Sequence, residues 1–206
     1  MSDNAKEPVS LPKTYHSGLV MGKFAPLHKG HKRLIDQALK RCVTLLVVLC
    51  YDQRWVNQQD WNIQHLLTLG HRMRALENFA RQISIRYDLY EVWNERKIVT
   101  AYVDATPDGF TPGDDSPVPG SPDSLREFCC LAADKVFNKL AIYPEAVFTS
   151  DPSNIDEYRK RWPHKERVLI EPDPKYSGVS SEDIRKRMVK VEEDQAAIRG
   201  MIEYEL

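Results

Sequence analysis

Two imidazoles, His28 and His31, stand three residues apart at the end of the run Gly18-Leu-Val-Met-Gly-Lys-Phe-Ala-Pro-Leu-His-Lys-Gly-His31. At that spacing they can ligate a metal or donate hydrogen bonds to a phosphate. Zinc needs further ligands, and none is adjacent. The four cysteines, Cys42, Cys50, Cys129 and Cys130, form no Cys-x-x-Cys pair, and immediate neighbours do not readily face one ion. Phosphate needs instead a tight turn followed by a row of unpaired helix amides, and this segment offers both. Its apolar run ends at Gly22, which is expected to use backbone angles that other residues avoid. Pro26 fixes the turn, and Gly30 leaves space for a ligand close to the backbone. From His31 onward Leu34, Ile35, Ala38 and Leu39 recur on one helical face, so the first-turn amides point back toward residues 26–31.

The elements that hold this turn follow from the next segments. Val43-Thr-Leu-Leu-Val-Val-Leu-Cys50 is a continuous apolar, β-branched run of the kind a central parallel strand needs when helices cover both its faces. Strand, helix and strand make a right-handed βαβ unit, which puts the histidine turn at the carboxyl edge of the sheet. Residues 70–81 read as a helix with Met73, Leu76 and Phe79/Ala80 at helical spacing, and 83–92 as a strand ending at Trp93-Asn-Glu95. Residues 125–140 read as a helix with a core stripe of Leu125, Phe128, Cys129, Ala132, Val136 and Leu140. A strand over 146–150, a helix over 156–162 and a strand over 167–171 complete the alternation. The expectation is a single α/β domain over 15–206, a Rossmann-like, doubly wound parallel sheet, preceded by a polar arm over 1–14. Residues 104–124 hold five prolines, three glycines and five aspartates, which excludes helix or central strand there and reads as a long loop, either a functional lid or a disordered insertion.

A second chemically suggestive stretch lies near the other end, in Tyr176-Ser-Gly-Val-Ser-Ser-Glu-Asp-Ile-Arg-Lys-Arg-Met188. It is a helix start with a serine cap and an acidic first turn. The two stretches together resemble the HxGH nucleotidyltransferase superfamily. Gly22, Phe24, Pro26, His28, Gly30 and His31 meet Gly-x-Phe-x-Pro-x-His-x-Gly-His, and residues 179–185 are similar to Ile-Ser-Ser-Thr-x-Ile-Arg, with Glu182 in place of threonine. The proline form resembles the nicotinamide-nucleotide adenylyltransferase branch, whereas the cytidylyl branch usually carries aspartate there. Weaker matches at Tyr51-Asp-Gln-Arg54, Arg72 with Arg74, Trp93-Asn-Glu95, Phe148-Thr-Ser-Asp151 and Asp173-Pro-Lys175 resemble the adenylyltransferase domain of the bifunctional bacterial NAD-regulator type. The likeness covers residues 17–188.

The resemblance implies condensation of nicotinamide mononucleotide with ATP to give NAD and pyrophosphate, with Mg²⁺ carried on the phosphates. His28, His31, Arg185 and Lys23 take the catalytic roles it implies, and Gly22, Phe24, Gly30, Ser180 and Ser181 the ATP contacts. Trp93 and Asn94 are the first candidates for the nicotinamide platform, with Trp55 and Trp61 as rivals, and Asp52 joins them, at most as an outer-sphere helper to the metal. Transfer to another phosphorylated acceptor (pantetheine phosphate, FMN or, with CTP, an alcohol phosphate) and a non-catalytic nucleotide sensor are the competing readings. The NAD-regulator type continues into a kinase with a Gly-x4-Gly-Lys-Ser/Thr loop; these 206 residues contain none, so no kinase activity is expected.

A formal net charge of -1 gives no global field for nucleic acid, so any anion site must be built locally. No apolar run approaches the ~18 residues of a membrane span and no signal peptide is evident, so a cytoplasmic location is expected. Cys42 and Cys50 flank the second strand as small core residues. Homo-oligomerisation is left open.

Overall fold

The computed structural model describes residues 14–88, 96–106, 122–172, 174 and 180–204. Strand β1 (Tyr15–Gly22) lies at the centre of a five-stranded sheet of order β3-β2-β1-β4-β5, and every pairing is parallel. The other strands are β2 (Cys42–Tyr51), β3 (Lys97–Asp104), β4 (Ala146–Thr149) and β5 (Glu166–Leu169). Helices α1 (Lys29–Leu39) and α4 (Leu69–Asp88) cover one face; α5 (Pro122–Leu140) and α6 (Ser153–Arg161) cover the other. Short helices α2 (Gln53–Asn57) and α3 (Trp61–Gln64) follow β2, and α7 (Ser181–Tyr204) closes the described chain.

The alternation of β2 shows why its run is apolar throughout. Leu45, Val47 and Leu49 pack with Leu34, Ile35, Leu76 and Ile83 on the first face. Leu46, Val48 and Cys50 pack with Cys129, Cys130, Ala133 and Phe137 on the second. Both sides are dry, as a doubly wound sheet requires. The chain moves outward from β1 in one direction through α1 and in the other through β4. That reversal makes the carboxyl end of β1 the switch point where ligands bind in such sheets.

Four expectations are corrected. The strand expected over 83–92 is absent through residue 88, because α4 continues to Asp88. Leu76, Phe79 and Ile83 are buried at helical spacing, while Ile85, which suggested alternation, is 55% exposed. The strand beside β2 is instead β3, whose register runs from Thr44↔Lys97 to Tyr51↔Asp104. On α5 the buried stripe runs through Cys129, Cys130, Ala133 and Phe137, and Leu140 is exposed, so the stripe is turned from the one expected. The proline-rich segment is shorter than expected at both ends: Asp104 closes β3 and Pro122 opens α5, a first-turn position that proline tolerates. Finally, the positive φ near the turn belongs to Phe24 (46°) rather than Gly22. The bounds of α6, β4 and β5 differ from the expected ones by one to three residues. Residues 1–13 of the expected arm and 107–121 of the expected loop lie outside the described residues. No described helix is long and apolar enough to cross a membrane.

Candidate active site

The histidine turn forms because its own imidazoles complete it. His28 is the N-cap of α1, in extended conformation, and its Nδ1 accepts from the Gly30 amide at 3.1 Å. His31 Nδ1 accepts in return from the His28 amide at 3.5 Å. This is a capping box built from two histidines, which satisfies amides at the helix start. The rings stack at 3.8 Å, and Phe24 stands edge-on to His31 at 5.2 Å. Phe24 is 1% exposed, so it braces His31 from behind rather than offering its ring to a ligand. The Ala25–Pro26 peptide is cis.

Both glycines of the motif make room for rings. A Cβ on Gly22 would sit 3.2 Å from the Phe24 ring, and one on Gly30 would sit 3.0 Å from His28 Cε1. Gly30→Ala is therefore expected to push the His28 imidazole aside and lower turnover about tenfold. Stability should hold, because alanine favours a helix interior over glycine by up to about 1 kcal/mol. Steady-state turnover beside a thermal melt checks this; unaltered turnover would mean that the ring position is unimportant.

The second signature meets the first here. His28 Nε2 lies 3.1 Å from Ser181 Oγ, the first residue of α7, and Arg185 Nη1 donates to the Ala25 carbonyl at 2.8 Å. Residues 153 and 160 positions apart thus join two helix N-termini at one point. Ser180 caps α7: its Oγ accepts from the Asp183 amide at 3.0 Å and donates to the Asp183 carboxylate at 2.6 Å. Glu182, the departure from the family pattern, pairs with Lys186 at 2.9 Å on the exposed face.

Burial holds both imidazoles neutral. The His31 pKa falls to about 3, through desolvation and the neighbouring His28, against a hydrogen bond with Pro26, and desolvation lowers His28 as well. In neutral His28 the accepting Nδ1 leaves the proton on Nε2, which then donates to Ser181 Oγ and frees the serine hydroxyl to donate onward. The pair therefore works through N–H donation rather than as acids.

Three cations complete the site. Lys23, Arg72 and Arg185 surround the Trp55 ring, at 4.8, 5.7 and 5.2 Å from its centroid. Arg72 is 2% exposed. One of its nitrogens donates to the Lys23 carbonyl at 3.0 Å, and its cation lies over the Tyr51 ring at 4.8 Å. Its Nε and Nη2 have no hydrogen-bond partner among the described residues. Desolvation, with its like-charged neighbours, lowers the Lys23 pKa, and burial brings Arg72 to about 10. No carboxylate among the described residues forms an ion pair with any of the three. Arg72 is the buried member, Arg185 is half-buried and Lys23 is exposed; the unpartnered donors of Arg72 are expensive unless an anion arrives to meet them.

In the sequence Arg72 stands only in a weak family match that gives it no role, yet a further signal exists: positions 72, 76, 79 and 83 share one face of α4, and the last three are core. A lone arginine on an apolar stripe marks an interior site. Asp52 is placed differently from the expectation. It caps α2, and both its oxygens are taken by Arg54, at 2.7 and 3.1 Å. Trp61 is 79% exposed. Trp93 and Asn94 lie outside the described residues. Beside Arg185, between the α2–α3 connection and α7, an open cleft of ≈ 440 Å³ is lined by Gln58, Gln59, Asp60, Ile63 and Val189.

A family model described as cytidylyltransferase-like matches residues 19–187. Among solved structures, a bifunctional NMN adenylyltransferase/ADP ribose pyrophosphatase from Francisella tularensis superposes with a TM-score of 0.52 at 14% identity, over 84% of this chain and 42% of that one. A NadR protein in complex with NAD and AMP-PNP gives 0.45 at 18% identity, over 84% and 43%. Pantothenate synthetase from Thermus thermophilus gives 0.41 at 16% identity, over 87% and 66%. The chain spans about two fifths of the length of the first two, 42% and 43%.

Proposed function

Because the chain belongs to the cytidylyltransferase-like family, we propose that it transfers the adenylyl group of ATP to the phosphate of nicotinamide mononucleotide, giving NAD and pyrophosphate. The observation that carries this reading is the contact of His28 with Ser181, which joins both signatures beside three cations that form no ion pair among the described residues. The proline at position 26 and the NMN adenylyltransferase activity for which the Francisella protein is named support nicotinamide mononucleotide as the acceptor.

In this reaction an acceptor phosphate oxygen bonds to the α-phosphorus of ATP, the bond from that phosphorus to the bridging oxygen breaks, and pyrophosphate leaves with the electron pair. The attacking oxygen is already anionic, so no general base is needed. What the protein supplies is alignment and positive potential where charge accumulates. His31 and the Ser181 hydroxyl, which His28 Nε2 orients, donate to phosphate oxygens at the joined helix ends. Arg185 and Lys23 meet charge developing on the leaving phosphates, and the free edge of Arg72 receives a further phosphate. The donor set here is N–H, O–H and cation, which suits a magnesium ion brought in on the triphosphate, held by phosphate oxygens and water. Such an ion would supply neutralisation of charge on the leaving group.

The acceptor and nucleotide are tested together by pyrophosphate release from ATP or CTP with nicotinamide mononucleotide, its deamidated form, pantetheine phosphate, FMN and an alcohol phosphate. Release is expected with ATP and nicotinamide mononucleotide. Release confined to another pair would replace this reading.

The neutral histidines also set a pH dependence of stability. The folded pKa of His31, about 3, lies below its unfolded value of about 6.5, so on acidification the unfolded chain takes a proton that the folded one refuses. This contribution is whole above pH 6.5 and is lost as pH falls toward 3, at up to about 1.4 kcal/mol per pH unit. Chemical denaturation of the unliganded protein should show stability declining from pH 7 to pH 5, with a shallower decline for His31→Asn. Stability that rises on acidification over that range would contradict the neutral assignment.

A further inference from the structure

We propose that Trp55 is a positioning residue of this site, an uncharged counterpart that holds Lys23, Arg72 and Arg185 together for a polyphosphate; the proposal rests on the polyphosphate reading above. All three cations lie within 5.7 Å of its ring centroid, inside the range of cation–π attraction. They come from three separate parts of the chain: the β1–α1 turn, α4 and α7. Like charges gathered this way repel, and something must hold them. A carboxylate would hold them and also cancel the field that a phosphate senses. The negative face of an indole attracts cations without removing their charge, so the cluster stays receptive.

The local structure aims the ring. Helix α2 is only five residues long and has no periodicity to fix it. It is fixed by the Asp52 cap, by the buried Asp52–Arg54 ion pair at 2.7 Å, by Val56, which is 1% exposed, and by Gln59 Nε2 donating to the Trp55 carbonyl at 3.1 Å. Trp55 itself is half-buried against the core. A residue present only for packing would tolerate an aliphatic replacement without altering anion affinity.

Calorimetric titration with inorganic tripolyphosphate reads this directly, because it needs no acceptor. Trp55→Phe, which keeps an aromatic face, is expected to bind within about threefold of the wild type. Trp55→Leu and Trp55→Met, which keep apolar bulk without one, are expected to bind at least tenfold more weakly while melting within a few degrees of it. Equal affinity in the Leu or Met variant, a Phe variant as weak as those two, or unfolding of both aliphatic variants overturns the positioning role. A wild-type chain that does not bind tripolyphosphate overturns the polyphosphate reading and this proposal with it.

Discussion

Replacing Arg72 with methionine is expected to lower kcat/KM at least a hundredfold and yet leave the melting temperature equal to or above that of the wild type. The two halves have one cause. Arg72 is 2% exposed, spends one donor on the Lys23 carbonyl and leaves Nε and Nη2 without a partner among the described residues. Without ligand this is a desolvated charge with no ion-paired carboxylate among the described residues, which methionine of similar bulk relieves. With ligand it is a donor pair aimed at a phosphate, and a hundredfold corresponds to about 2.7 kcal/mol of transition-state stabilisation. Steady-state kinetics and a thermal melt on the same preparation decide it. A large fall in melting temperature with kcat/KM preserved would make Arg72 a structural residue.

His31→Ala is expected to reduce turnover by about a hundredfold or more, the scale of one preorganised donor to developing charge. Some stability goes with it, because the ring stacks on His28 at 3.8 Å and meets the Phe24 edge at 5.2 Å. That packing is worth about 1–2 kcal/mol, a fall of only a few degrees in a chain of this size. A fall of more than about ten degrees with turnover retained would instead make His31 a core residue.

The parts of this molecule that were legible in the sequence are those with local grammar. Gly22 to His31 and Ser180 to Arg185 each announce a helix start by residue type and spacing, and the structure brings them within 3.1 Å at His28 and Ser181. The β2 run reads as a doubly covered strand because apolar residues fill both its faces. What was not legible depends on partners distant in sequence. Ile83 and Ile85 suit a strand as well as a helix, and only the packing of Ile83 beneath β2 with Leu76 and Phe79 decides for α4. Strand β3 is an edge whose exposed Tyr102 and half-buried Val99 and Ala101 give it no clean alternation. Trp55 sits in a helix too short for periodicity, and its importance comes from cations supplied by three other elements. Asp52 has the residue type of a ligand-side carboxylate, but Arg54 two positions on claims it for the cap.

On the proposed function, the joined signatures transfer a nucleotidyl group rather than only hold a nucleotide. A single-turnover experiment with enzyme in excess over ATP labelled at the α-phosphate, with magnesium and saturating nicotinamide mononucleotide, tests it most directly. The expected result is label passing into NAD in step with pyrophosphate release, slowed about a hundredfold or more in both His31→Ala and Arg72→Met. Label that stays in ATP, or appears only in AMP, with folded protein that binds ATP, would contradict it.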